Sequence, residues 1–201
     1  MPLGQSPVAV IMSHGRGAGP ENILDLVPAL GHSGVTYLAP SAANRTWYPF
    51  SFMADIAKNE PYLSSALSVL AAVVTEAEGA GIARNRIVML GFSQGACLTT
   101  EFAIRNPSRF GGIAAFSGGA IGPPGTQWNE VPRFDGTPAF FGCSDVDAHV
   151  PEPRVRESAD VCARMGAEVT TRIYPGMGHL VNDDEIDWLR SLLDGLLSQE
   201  R

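Results

Sequence analysis

The chain has 201 residues, 45% of them hydrophobic, which suits one soluble domain over 1–201 and leaves little room for a large lid. A formal net charge of -7 with no Lys/Arg-rich run argues against nucleic acid or an anionic membrane surface as partner, because both repel an acidic protein. The start, "MPLGQSPVAVIMSHG", lacks the basic head and long apolar stretch of a secretory signal, and no apolar run approaches the roughly 18 residues of a membrane span.

Strand-like and helix-like runs alternate from end to end. "VAVIMS" (8–13) reads as a buried strand, "ENILDLVPALG" (21–31) as a short helix and "VTYLAP" (35–40) as a second strand. An irregular aromatic segment, "SAANRTWYPFSFMADIAKNEP", leads to a helix over 62–81, where Leu63, Leu67, Leu70, Val73 and Val74 recur at helical spacing. "RIVMLGF" is the third strand, and "QGACLTTEFAIRNP" (94–107) is the helix after it, closed by Asn-Pro. Further strands fall at 111–118 and 137–143, a helix at 151–167, a strand at 168–175 and a last helix at 182–197 with the stripe Ile186, Leu189, Leu193 and Leu196. Short all-apolar strands between amphipathic helices predict an α/β fold, with a mostly parallel sheet covered by helices on both faces. One connection, "GGAIGPPGTQWNEVPRFDG" (118–136), is long enough to predict a functional or mobile loop.

In such a sheet, ligands bind at the carboxyl ends of the strands. "LGFSQGA" (90–96) puts Ser93 between a strand and a helix, with Gly91 and Gly95 where side chains would crowd a sharp turn. That is the context of a nucleophile elbow, in which the amide of Gln94 faces a developing anion. G-x-S-x-G alone is too short to decide. A serine hydroxyl also needs a base, and in this fold acid and His follow the Ser. Only His149 and His179 lie after Ser93, and His179, in "YPGMGHL" between the last strand and the last helix, is the better base. His149 is only two residues from the best acid and is poorly placed to face it. Asp145 and Asp147, in "GCSDVDAHVP", are both placed to orient the imidazole, and at least one is expected merely to cap the helix near Pro151.

The loop after the first strand, "SHGRGAGPEN", offers the amide of Arg16 as a second oxyanion donor, and its guanidinium is placed to meet an acidic group on a substrate. Trp47, Tyr48, Phe50 and Phe52 are expected to wall an apolar slot, the alternative being packing of their loop against a helix; Trp128 is a second candidate wall. Cys97, Cys143 and Cys162 are odd in number and show no C-x-x-C spacing, so neither a disulfide framework nor structural zinc is expected, and they read as reduced thiols of a cytoplasmic protein.

Together, "SHGRGAG", "GFSQGA", "DVDAHVP" and "YPGMGH" resemble the phospholipase/carboxylesterase family of α/β-hydrolases, which includes the acyl-protein thioesterases, over nearly the whole chain. The resemblance implies an α/β-hydrolase fold without a lid domain, and a serine hydrolase that needs no metal or cofactor and often forms a homodimer. The family's Asp-x-x-Val-Pro pattern selects Asp147 over Asp145, so the implied triad is Ser93, Asp147 and His179, with the Arg16 and Gln94 amides as oxyanion donors. Small-molecule esters are the implied substrates, with lysophospholipids or acyl-protein thioesters as the alternative. A non-catalytic binding protein on the same fold is the reading from another class. Three departures bear on the acyl group: Arg16 stands where an apolar residue is common, Cys143-Ser144 replaces His-Gly, and Ala148 replaces Pro.

Overall fold

In the computed structural model, residues 1–198 are described, and residues 199–201 of the expected 1–201 domain lie outside them. Strands β1 (Val8–Ser13), β2 (Val35–Leu38), β3 (Ile87–Phe92), β4 (Gly112–Phe116), β5 (Pro138–Ser144) and β6 (Glu168–Tyr174) form one sheet in the order β2-β1-β3-β4-β5-β6. Each neighbouring pair is parallel. The helices are α1 (Pro20–Leu24), α2 (Val27–Leu30), α3 (Ile56–Asn59), α4 (Tyr62–Gly79), α5 (Gln94–Arg105), α6 (Glu152–Arg164) and α7 (Asp183–Ser198).

Alternate strand residues point to opposite faces and enter two cores. Ala9, Ile11, Met89, Ile113 and Phe141 pack toward α4, α5 and α6, whereas Val8, Val10, Val88, Leu90 and Phe140 pack toward α1, α2 and α7. The α7 stripe is buried as expected, with Leu189 and Leu193 at 0% exposure. Burial of that kind contributes about 2 kcal/mol per side chain.

The helix expected over 21–31 is two short helices. Pro28 has no amide hydrogen to donate back to Leu24, so the helix stops, Leu26 closes a tighter turn onto Ile23 O at 3.3 Å, and α2 ends at Gly31 with φ 71°. The long 118–136 connection begins as built-in structure. Buried Arg154 donates to Ala120 O at 3.0 Å and to Gly122 O at 2.7 Å, while the buried Glu101 carboxylate accepts the Ile121 amide at 3.0 Å.

The start of α7 holds an unusual carboxyl. Glu185 and Asn182 form a reciprocal capping pair, each side-chain oxygen accepting the other's amide at 3.0 Å. Glu185 is fully buried, Oε1 has no partner, and it occupies the space a Cβ on Gly142 would need. Burial pushes its pKa up to about 7, against the Asn182 amide and with the nearby Asp184 charge. The folded state therefore holds this proton more tightly than the unfolded chain. Its stabilising effect is full below the ordinary value of 4.5 and is lost as pH rises through about 7. Relative to wild type, Glu185→Gln should gain stability between pH 5 and pH 8 by on the order of 2–3 kcal/mol in urea titrations. A stability difference that does not change with pH would contradict this.

Candidate active site

The carboxyl ends of β1, β3, β5 and β6 carry the four loops singled out in the sequence. Ser93, the residue between β3 and α5, has φ 55° and ψ -121°, a conformation L-residues seldom adopt. Its amide donates to Phe116 O at 2.9 Å and its carbonyl accepts the Cys97 amide at 3.0 Å, so the turn is tied to both β4 and α5. The flanking glycines are there for space. A Cβ on Gly91 would run into the backbone of Gly95, and one on Gly95 into the carbonyl oxygens of Ser13 and His14.

Ser93 Oγ lies 2.8 Å from His179 Nε2, and His179 Nδ1 lies 2.6 Å from Asp147 Oδ2. The His179 ring sits between Phe92 and His149, with ring centroids 5.0 and 4.8 Å away. The Asp147 carboxylate is fully buried, and Oδ1 accepts the amides of His149 at 2.8 Å and Val150 at 3.0 Å. Burial works to raise its pKa, but the hydrogen bonds from His179 and those two amides outweigh it and hold the carboxyl below its ordinary value. With the carboxylate accepting at Nδ1, the proton sits there and Nε2 is left bare toward Ser93.

Asp145 faces elsewhere. Its Oδ1 accepts the Gly176 amide at 2.8 Å, tying the β5 loop to the loop that carries His179. Neither aspartate caps α6, contrary to the expectation that at least one would; Pro151 stands at the cap with no side-chain bond. Ser144 completes the tie, its Oγ accepting the Gly178 amide at 3.0 Å. A short hydroxyl reaching a backbone amide 34 residues away has no signature in sequence spacing.

Arg16 and Gln94 also meet at this end of the sheet. The Gln94 amide is the first in α5 and has no partner within the helix. A Cβ on Gly15 would lie 3.5 Å from that of Ser93, so the backbone leading to Arg16 passes close to the serine, and the Gly17 amide is fixed to Arg45 O at 2.7 Å. The Gln94 side chain has a second task that the sequence did not reveal. It accepts the Trp47 amide at 3.0 Å and donates to Tyr48 O at 2.7 Å, clamping the aromatic loop to the elbow. Buried Asn59 fastens the same loop from the other side, accepting the Phe50 amide at 2.9 Å and donating to Ser51 O at 3.0 Å.

A cavity of about 450 Å³ opens beside Ser93, and Tyr48, Phe50, Phe52, Cys97, His149 and Val150 are among its lining residues. Trp47, expected as a wall, is not. It is buried, and its Nε1 donates to His14 O at 2.8 Å, so the indole serves the loop's packing. Trp128 is not a wall either: it stacks on Arg154, ring centroid 5.5 Å from the guanidinium carbon, and lines a separate groove with Ile104 and Val131. His149, set aside in the sequence as a triad member, is a wall of the cavity through its contact with His179. A second depression, of about 540 Å³, shares Arg16, Ser93 and His179 and is walled by Ile23, Leu26, Phe92 and Val181, so both arms of an ester have room. No group of three or more His, Cys, Asp or Glu among the described residues is arranged to hold a metal ion.

A parallel sheet with a strained serine at the turn after its third strand in chain order is the α/β-hydrolase fold. Over residues 5–196 the chain matches the phospholipase/carboxylesterase family, and it belongs to that family. It is similar to the phospholipase/carboxylesterase from Dyadobacter fermentans, whose crystal structure superposes with a TM-score of 0.90 at 40% identity, covering 98% of this chain and 93% of that one. Among curated relatives, acyl-protein thioesterase 1 of Gibberella zeae is 32% identical over 116 residues, 56% of this chain and 49% of that protein. The chain thus spans about half the length of that relative, and 58% of acyl-protein thioesterase 1 from Eremothecium gossypii. Mouse lysophospholipase-like protein 1 is 22% identical over 209 residues, 94% of this chain and 87% of that protein.

Proposed function

We propose that the chain is a serine carboxylesterase that hydrolyses small carboxylic esters or thioesters through an acyl-enzyme. The observation that carries this is the unbroken hydrogen-bonded series from Ser93 Oγ through His179 to the buried Asp147 carboxylate, at the edge of an open cavity. His179 Nε2 takes the Ser93 proton as Oγ attacks the carbonyl carbon, and Asp147 keeps the imidazole oriented and stabilises its charged form. The Arg16 and Gln94 amides receive the oxyanion, each contributing on the order of 3 kcal/mol to the barrier reduction. The tetrahedral adduct expels the alcohol or thiol, which takes its proton from His179. Water, deprotonated by the same nitrogen, then releases the acid and regenerates Ser93.

Acyl-protein thioesterase or lysophospholipase action is the second reading, supported by the names of the curated relatives. Hydrolysis of 4-nitrophenyl esters from acetate to decanoate, with wild type and Ser93→Ala side by side, separates the two. Ser93-dependent activity peaking at short chains is the expected result; a peak at decanoate would move the assignment to the second reading, and no activity with any ester would count against both. No helix among the described residues is long and apolar enough to cross a membrane. A homodimer and a cytoplasmic location belong to the same proposal, the latter supported by three buried, unbridged thiols whose pKa values burial pushes up to about 12.

A further inference from the structure

The cavity beside Ser93 is positively charged in a negatively charged protein. Its charged lining residue is Arg16, and no Asp or Glu is among the described residues that line it. Every other feature of Arg16 fits a fixed, uncompensated cation. Nη1 donates to Pro49 O at 2.8 Å and Nη2 to Phe50 O at 2.7 Å, which holds the guanidinium at the cavity mouth, its central carbon 5.9 Å from the centroid of the Tyr48 ring. Backbone carbonyls satisfy two of its five N–H groups and cancel none of its charge. It has no ion-pair partner among the described residues, and the remaining N–H groups are available to a ligand.

Tyr48 backs this cation. It is 1% exposed, its ring lies against the guanidinium, and its hydroxyl is sealed beside the Cys97 thiol, out of a ligand's reach. Burial raises the Tyr48 pKa well above its ordinary value, so the phenol adds no negative charge beside Arg16. A pocket for a plain hydrocarbon arm needs no fixed cation at its mouth, whereas a carboxylate is held by one through charge-assisted hydrogen bonds.

We propose that this cavity selects esters bearing a carboxylate on one arm, received by the Arg16 guanidinium held at its mouth. Such selectivity rests on the acyl-transfer chemistry proposed above and narrows its substrates to half-esters of dicarboxylic acids or esters of hydroxy acids. Arg16 is then a specificity residue through its side chain, in addition to the role of its amide.

Two matched pairs test this. Mono-4-nitrophenyl adipate against 4-nitrophenyl hexanoate places the charge on the acyl arm; 6-butyryloxyhexanoate against hexyl butyrate places it on the alcohol arm. In one of the pairs kcat/KM should favour the anion by about tenfold or more, the discrimination expected of a charge-assisted hydrogen bond. Arg16→Met should bring that ratio to about one, and 0.5 M NaCl should reduce it. Tyr48→Phe removes only a hydroxyl sealed away from the cavity, so it should leave the ratio within about twofold of wild type. Reading the ratio cancels any effect of Arg16→Met on the oxyanion amide. Ser93-dependent turnover of both members of each pair at equal rates, or a ratio indifferent to Arg16→Met, would overturn the anion selectivity alone. No Ser93-dependent turnover of any of the four esters would overturn the hydrolase assignment and the selectivity with it.

Discussion

Asp147→Asn is expected to lower kcat by about 10⁴, whereas Asp145→Asn should stay within about tenfold of wild type. The two residues are two positions apart in one loop, yet their surroundings differ. Asp147 presents a fully buried carboxylate to His179 Nδ1 at 2.6 Å. An amide there turns its NH₂ toward the ring, and a donor facing Nδ1 forces the ring proton onto Nε2, which leaves Ser93 without a base. Its other oxygen accepts two backbone amides, a job the carbonyl of Asn can keep, so the loop should stay folded while turnover collapses. Asp145 is exposed, and its Oδ1 accepts the Gly176 amide at 2.8 Å and, at 3.5 Å, the Ser144 hydroxyl, both of which the carbonyl of Asn can also accept. Ser93→Ala should cost on the order of 10⁶ in kcat, since it removes the proposed nucleophile outright. Steady-state rates on one 4-nitrophenyl ester check all three, and the opposite ranking of the aspartates would reassign the acid.

Gly95→Ala should destabilise the fold by about 3 kcal/mol or more and abolish activity, while Gly195→Ala should raise stability by about 1 kcal/mol. Both glycines lie within helices, α5 and α7, so helix propensity alone favours alanine at each. The difference is space. A Cβ at 195 meets nothing within 4 Å, whereas one at 95 runs into the Ser13 and His14 carbonyls. Those oxygens belong to the end of β1 and the loop that leads to Arg16. Backbone cannot yield as a flexible side chain would, so α5 must move, and Ser93 and the Gln94 amide move with it. Thermal melts read both effects, and equal melting temperatures for the two variants would refute the crowding argument.

The elements were largely legible because their causes are local. All-apolar runs bounded by Gly, Pro and Asn set the strands, and β1 spans the same residues in sequence and structure. The single broken helix is local too: Pro28 was visible, and its missing amide decided the break. The candidate site was legible wherever a residue stood at a strand end, as Ser93, Asp147 and His179 do. What stayed hidden depends on side-chain direction in irregular backbone, where no periodicity fixes an inside and an outside. Trp47 and Tyr48 are adjacent, but one indole turns to His14 O and the other ring forms the cavity. Trp128 likewise follows Arg154, some 26 residues ahead, to a groove of its own. The clamps made by the Gln94 side chain, Asn59 and Ser144 reach across the fold to backbone groups, and a linear spacing cannot disclose them.

The measurement to make first is the intact mass of the protein, and of its active-site peptide, after exposure to a fluorophosphonate. One phosphonyl adduct per chain, mapped to Ser93, abolished in Ser93→Ala and strongly slowed in Asp147→Asn, is the predicted result. An unlabelled wild-type protein, or an adduct on any other residue, would contradict the assignment of Ser93 as the nucleophile.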